Sequence, residues 1–227
     1  MLYIVSTPIG NMGDITPRAV EMLKNADYIL AEDTRHTGAL LKKLEIEKIP
    51  FLSYFEHNEE KRIPEVITHL EQGKNICLVS DGGTPLISDP GFRLIRECSR
   101  KGILYTAVPG ACAVTNALVL SGFATDSYFF IGFLPQKTGK RKEKIETVKK
   151  ADATAVFYES PYKTGKLLKL LRDEFPAQEC CIIREMTKIH EEIIRGTTEE
   201  LYVNCKDKKF KGEITVVLAK KGKKQAV

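Results

Sequence analysis

The sequence predicts an α/β protein: two α/β domains with a ligand cleft between them. Three observations carry this expectation. Short apolar runs alternate with helical patterns, which is how a mostly parallel sheet covered on both faces reads. Glycine- and proline-rich loops follow three of these runs, at the strand ends where such folds bind ligands. The stretch Ser121-Gly122-Phe123-Ala124-Thr125-Asp126 interrupts the pattern and divides residues 1–122 from residues 123–227.

The elements follow in order. Leu2–Val5 is an apolar strand. Thr16-Pro17 reads as an N-cap followed by a first-turn proline, and Ala19, Val20, Leu23 and Ala26 form the buried helical face. Tyr28–Ala31 is a strand ending at Glu32-Asp33-Thr34-Arg35, and a helix carries Leu40, Leu41 and Leu44. Phe51–Phe55 is a strand, and Asn58 caps a helix with the stripe Ile63, Val66, Ile67, Leu70, stopped by Gly73. Asn75–Val79 is a strand, and Asp89-Pro90 starts a helix over residues 92–100 that Gly102 ends. Ile103–Val108 is a strand running into Pro109-Gly110-Ala111, and Cys112–Leu120 is a helix. Beyond the break, strands are expected at Tyr128–Phe133, Ala155–Tyr158, Cys180–Arg184 and Ile214–Leu218. A helix carries Lys166, Leu167, Leu168, Leu170 and Leu171.

Composition narrows the function classes. The 227 residues are 43% hydrophobic and 29% charged, as in ordinary globular domains. No apolar run approaches the roughly 20 residues that span a bilayer, and no signal-like segment precedes the first strand, so a cytoplasmic protein is expected. The six cysteines are scattered without a Cys-x-x-Cys pair, and His36, His57, His69 and His190 are isolated. Buried reduced thiols are expected, and no metal site. Charge is uneven: residues 1–122 hold 13 Lys/Arg against 15 Asp/Glu, and residues 123–227 hold 22 against 15. The basic second half points to an anionic partner.

The loop "STPIGNMGD" after the first strand lacks both Gly-x-Gly-x-x-Gly and Gly-Lys-Ser/Thr, so neither a dinucleotide nor a nucleoside triphosphate explains it. It is either a tight strand–helix turn or a place where backbone approaches a ligand. "SDGGTPLISDPG" is the stronger candidate. Asp81 ends a buried strand, Gly82 and Gly83 admit close backbone approach, and Thr84 through Ile87 offer polar groups beside an apolar shelf.

With the first loop extended to "TPIGNMGDITPRA", and taken with "AEDTRHT", "VPGACA", "FIGFLP", "YESPYK" and "REMTKIHEE", these motifs give seven segments in one order. The chain resembles the ribosomal RNA small subunit methyltransferase I family, a branch of the tetrapyrrole-methylase superfamily. The likeness runs from Leu2 to about Leu218. It departs at Gly82, where the family more often has alanine. Many related chains also extend beyond the last strand, whereas here only Lys220-Lys221-Gly222-Lys223-Lys224 and three further residues follow. Any RNA contact made by that extension is expected to be absent or replaced.

The resemblance implies two domains of the tetrapyrrole-methylase type and S-adenosylmethionine as methyl donor. It implies methylation of the ribose 2′-hydroxyl of a cytidine in the decoding region of 16S rRNA, within the small ribosomal subunit, and a homodimer. Carried onto this sequence, the donor contacts are Pro8, Asp81, Gly82, Thr84, Ile87, Gly110, Ala111 and Cys112, with Tyr158, Met186 and Gly212 on the adenine side. Methyl transfer needs the hydroxyl oxygen held in line with the S–CH3 bond at roughly 3 Å, and a base nearby. Asp33, His36, Glu159 and Glu185 are bases by type; Asp33, Arg35 and Glu185 are the catalytic candidates. Arg35 either clamps a phosphate or pairs with Asp33 or Glu32. Lys137, Lys140, Arg141 and Lys142 open a basic run expected to hold RNA, with Lys206–Lys211 as a second. A precorrin-type tetrapyrrole methylase and a noncatalytic RNA-binding module remain as alternatives. The order of "AEDTR" and "REMTK" speaks against the first.

Overall fold

A computed structural model of the protein describes residues 1–221, so Gly222, Lys223 and Lys224 of the basic tail lie outside the described residues. The chain divides into two units, Met1–Cys112 and Ala113–Val227.

The first unit contains β1 (Leu2–Val5), α1 (Pro17–Lys24), β2 (Tyr28–Ala31), α2 (Thr34–Lys43), β3 (Phe51–Ser53), α3 (Glu59–Glu71), β4 (Ile76–Val79), α4 (Phe92–Lys101) and β5 (Tyr105–Val108). Its five strands are all parallel, in the order β3-β2-β4-β1-β5. Alternation of side chains splits the core between the two faces. Leu2, Ile4, Leu30, Ile76 and Leu78 pack with Val66, Ile67 and Leu70 of α3 and Leu94 and Cys98 of α4. Val5, Ile29, Ala31, Cys77 and Val79 pack with Ala19 and Leu23 of α1 and Leu41 of α2. Each fully buried Leu or Ile here contributes about 1.5–3 kcal/mol.

Local chemistry sets several helix ends. The Thr16 hydroxyl accepts the Ala19 amide at 3.1 Å, with Pro17 in the first turn. Asp33 caps α2 by accepting the Arg35 amide at 2.8 Å. Gly102, left-handed at φ 68°, ends α4.

Two expected caps are corrected. Asn58 stands at the N-cap of α3 but does not bond into it. Its side chain accepts the Phe55 amide and donates to the Ser53 carbonyl, which holds the β3–α3 turn. Asp89 does not cap α4, whose N-cap is Gly91 at φ 134°. The buried Glu59 of α3 supplies the acceptor instead, taking the amides of Gly91 and Arg93 at 3.2 and 3.3 Å. Its carboxylate also accepts the hydroxyl of the fully buried Tyr54 at 2.8 Å. The positive end of α4 and a tyrosine hydroxyl thus compensate for burying a carboxylate.

The second unit contains α5 (Ala113–Ser121), β6 (Tyr128–Phe133), α6 (Thr138–Lys150), β7 (Thr154–Glu159), α7 (Thr164–Glu174), β8 (Glu179–Arg184), β9 (Glu192–Thr197), α8 (Thr198–Cys205) and β10 (Ile214–Leu218). Its sheet is mixed, ordered β6-β7-β10-β8-β9, and only β6 and β7 run parallel. One face packs Phe157, Cys180, Ile182, Val216 and Leu218 under α6, α7 and α8. On this sheet α5 packs against β7, β8, β9 and β10. Arg195 of β9 reaches the last carbonyls of α5, those of Leu120 and Ser121. The division between units therefore falls before α5, ten residues earlier than the glycine-containing break at 121–126 suggests.

The six cysteines are free thiols, five of them buried and Cys112 half-buried. Burial pushes the Cys77 thiol up to about 12. Among the described residues no helix is long and apolar enough to cross a membrane.

Candidate functional site

In the first unit, the loops following β1, β4 and β5 are tied into one surface at the C-terminal edge of the sheet. Thr7 and Gly83 form an isolated bridge, exchanging amide-to-carbonyl bonds of 2.9 and 3.0 Å. The Thr84 hydroxyl donates to the Ala111 carbonyl at 3.0 Å and lies 2.9 Å from the Ser6 hydroxyl. Because its one proton goes to Ala111, Ser6 is the donor of that second bond.

Space is short where these loops touch, most of all at Gly110. A β-carbon on Gly110 would lie 2.8 Å from the Ser6 β-carbon, and one on Gly82 would lie 3.3 Å from the Pro8 carbonyl. Pro8, Asp81, Gly82, Thr84, Ile87, Gly110, Ala111 and Cys112 all lie on these three loops, and none of them is fully buried. Gly82, Ile87 and Gly110 are exposed.

The β2 end joins from the side. The half-exposed Asp81 carboxylate accepts the Asp33 amide at 3.2 Å and lies 3.7 Å from His36 Nδ1. Asp33 holds Arg35 through two side-chain bonds of 3.1 and 2.6 Å. These Arg35 bonds, with the Arg35 amide, hold the Asp33 carboxyl well below the usual carboxylate range. Arg35 itself is 90% exposed. Behind this edge, burial, with the negative Asp81 adding to it, pushes the Asp89 carboxyl up to about 6. Burial, then Asp89 and Asp81, also raise Glu32. The edge is therefore acidic, with backbone accessible beside it. That suits a ligand carrying positive charge.

In the second unit, Tyr158, Met186 and Gly212 lie at the ends of neighbouring segments. Tyr158 on β7 meets Phe130 and Phe133 of β6 edge-on, with ring centroids 5.0 and 5.7 Å away. Met186 is buried in the turn after β8. Glu185 beside it anchors that turn: its Oε1 accepts Lys188 Nζ and the Glu213 amide, both at 2.9 Å. The Lys188 ammonium holds the Glu185 carboxyl below its ordinary value. Gly212 lies against this carboxylate at φ 83°.

Backbone conformation is a signal that sequence reading lacked. Six non-glycine residues among those described have φ in the left-handed range, and four of them lie in these two loops: Leu86, Ser88, Glu185 and Thr187. Each such residue costs of order 1–2 kcal/mol, and strain of this kind concentrates at binding sites. Sequence reading also missed β9 and α8. For α8 a signal was present: Thr197-x-x-Glu200 is a capping box, with the Thr197 hydroxyl accepting the Glu200 amide and Glu200 accepting the Thr197 amide.

Of the basic run, Lys137, Lys140 and Lys142 are exposed at the start of α6, while Arg141 is half-buried and donates to the Gln136 carbonyl at 3.1 Å. Among the described residues no group of three or more His, Cys, Asp or Glu side chains is arranged to hold a metal ion.

Residues 1–202 match the model of the family described as tetrapyrrole (corrin/porphyrin) methylases. A Thermotoga maritima protein named ribosomal RNA small subunit methyltransferase I is 46% identical over 97% of this chain and 98% of its own length. A Haemophilus influenzae protein of the same name is 43% identical over 98% of this chain and 80% of its own length. Among solved structures, the methyltransferase CobJ superposes with a TM-score of 0.72 at 15% identity, covering 96% of this chain and 93% of that one. Diphthine synthase superposes with a TM-score of 0.68 at 17% identity, covering 96% and 89%. At these identities the structural likeness concerns the fold.

Proposed function

Since the chain belongs to the ribosomal RNA small subunit methyltransferase I family, within the tetrapyrrole methylases, and is a methyltransferase, we propose that it methylates the ribose 2′-hydroxyl of a cytidine in the decoding region of 16S rRNA, with S-adenosylmethionine as donor. The observation that carries the donor assignment is the Thr7–Gly83 bridge with its Ser6–Thr84–Ala111 chain. It presents Gly82 and Gly110 as exposed backbone next to the Asp81 carboxylate. S-adenosylmethionine supplies an electrophilic methyl group on a sulfonium cation. In this reading Asp81 complements that charge, and Pro8, Gly82, Thr84, Ile87, Gly110, Ala111 and Cys112 provide the backbone and apolar contacts. Tyr158, Met186 and Gly212 join it through the resemblance alone.

The catalytic candidates take different roles. Asp33 and Glu185 are each held by a cation and are poor proton acceptors, so we assign them to positioning. Asp33 aims Arg35, and Glu185 shapes the Met186 turn. Arg35, exposed and charged, is the group suited to an RNA phosphate. Lys137, Lys140, Arg141 and Lys142 supply salt-sensitive affinity. The substrate reading includes the small ribosomal subunit, a cytoplasmic setting and a homodimer.

The test is to incubate the protein and methyl-labelled S-adenosylmethionine with small ribosomal subunits from a strain lacking this modification, then map the labelled nucleotide. A 2′-O-methylcytidine in the decoding region is expected. Label entering a tetrapyrrole and not RNA, or no transfer at all, overturns the proposal.

A further inference from the structure

A second feature of the Ala113–Val227 unit joins the start of the Lys206–Lys211 run to residues of α7 that no assignment above uses. Between α7 and the end of α8 there is an open groove of about 390 Å³. Gly165 shapes its floor: a β-carbon there would lie 2.6 Å from the Lys206 carbonyl, so only glycine lets the α7 backbone come this close. Lys166, Lys169, Lys206 and Lys208 line the groove, against one acid, Asp207. Lys169 is paired with Asp173 at 2.6 Å and Lys208 with Glu192 at 2.5 Å. Among the described residues no carboxylate pairs with Lys166 or Lys206. Lys206 Nζ lies 5.7 Å from the Tyr202 ring centroid, a contact that leaves its charge unneutralised, so both ammonium groups can meet an outside anion.

Two tyrosines add to the charge. Arg172 covers one face of the Tyr202 ring, 4.0 Å from its centroid. Tyr162 is 92% exposed at the edge of the groove. An uncovered aromatic ring beside unpaired lysines is the combination that holds unpaired nucleotides: the ring stacks a base and the ammonium groups meet flanking phosphates. We propose that the α7–α8 groove binds single-stranded RNA, with Tyr162 stacking a base and Lys166 and Lys206 contacting the backbone. This rests on the rRNA reading for its substrate and adds a contact surface separate from the α6 lysines.

The experiment uses the full chain. A fluorescein-labelled oligouridylate is titrated over a range of salt, and methyl transfer to unmodified small subunits is measured in parallel. Tyr162→Ala is expected to weaken oligouridylate binding about tenfold. Lys166→Glu with Lys206→Glu should weaken it further and reduce the salt slope by about 1–2. Both variants should raise KM for subunits and leave kcat unchanged. These side chains are exposed, so the variants should melt with the wild type. Variants that bind oligouridylate as the wild type does, with the same salt slope, overturn the proposal. So does wild-type protein that binds phosphatidylserine vesicles but not the oligonucleotide. Wild-type protein that binds the oligonucleotide through these residues but transfers no methyl group to rRNA would instead sink the rRNA reading.

Discussion

Gly212 stands directly against the Glu185 carboxylate: a β-carbon at position 212 would lie 2.2 Å from both the carboxyl carbon and Oε1. Two independent constraints meet there, the contact itself and the φ of 83°. Gly212→Ala is therefore expected to destabilise the protein by about 2–4 kcal/mol in urea denaturation. In a Glu185→Ala background the contact disappears and the cost should fall to about 1–2 kcal/mol. Equal costs in both backgrounds would mean that the two residues do not interact.

Glu59 is the acceptor that joins α3, α4 and Tyr54. Glu59→Ala should cost about 3 kcal/mol, since it leaves the Tyr54 hydroxyl and the Gly91 and Arg93 amides without their acceptor. Tyr54→Phe removes one bond and should cost about 1 kcal/mol. If Glu59→Ala is as mild as Tyr54→Phe, the helix-capping role is wrong.

Asp89 makes stability depend on pH. Its folded carboxyl is raised from 3.8 to about 6, so the folded state favours the protonated form. Below pH 4 both folded and unfolded states carry the proton and nothing is lost. As pH rises from 4 through 6, the unfolded state releases its proton first, and folding stability falls. Asp89→Asn should thus be more stable than the wild type at pH 8 by about 1–2 kcal/mol, reduced from the ideal value by partial solvent contact. The gap should close near pH 4. A difference that stays constant across this range would refute the assignment.

On the donor reading, Asp81→Ala should lower S-adenosylmethionine affinity by at least about tenfold in calorimetry, through loss of the charge facing a cation. Thr84→Val breaks the Ser6–Thr84–Ala111 chain and should cost about 1–2 kcal/mol of stability along with weaker donor binding. Unchanged donor affinity in both variants would place the ligand elsewhere.

The amino-acid sequence by itself determined the periodic parts of this protein. Leu2–Val5, Tyr28–Ala31, Tyr128–Phe133 and Ile214–Leu218 were legible as strands to the residue, because alternation and apolar runs are local properties of the chain. The Thr16 cap and the Gly102 stop were legible for the same reason. The three loops after β1, β4 and β5 were readable as turns, since glycine and proline mark turns wherever they occur. What only tertiary structure decided involves groups far apart in the chain. Glu59 caps a helix whose N-cap residue, Gly91, lies 32 residues after it. The Asp33 amide reaches the Asp81 carboxylate 48 residues on, Glu185 accepts the Glu213 amide 28 residues on, and Asp89, expected only to cap a helix, is raised by burial. Lys206 forms a groove with Gly165. Proton affinity and anion affinity depend on which charges and how much solvent surround a group, and only packing sets those surroundings.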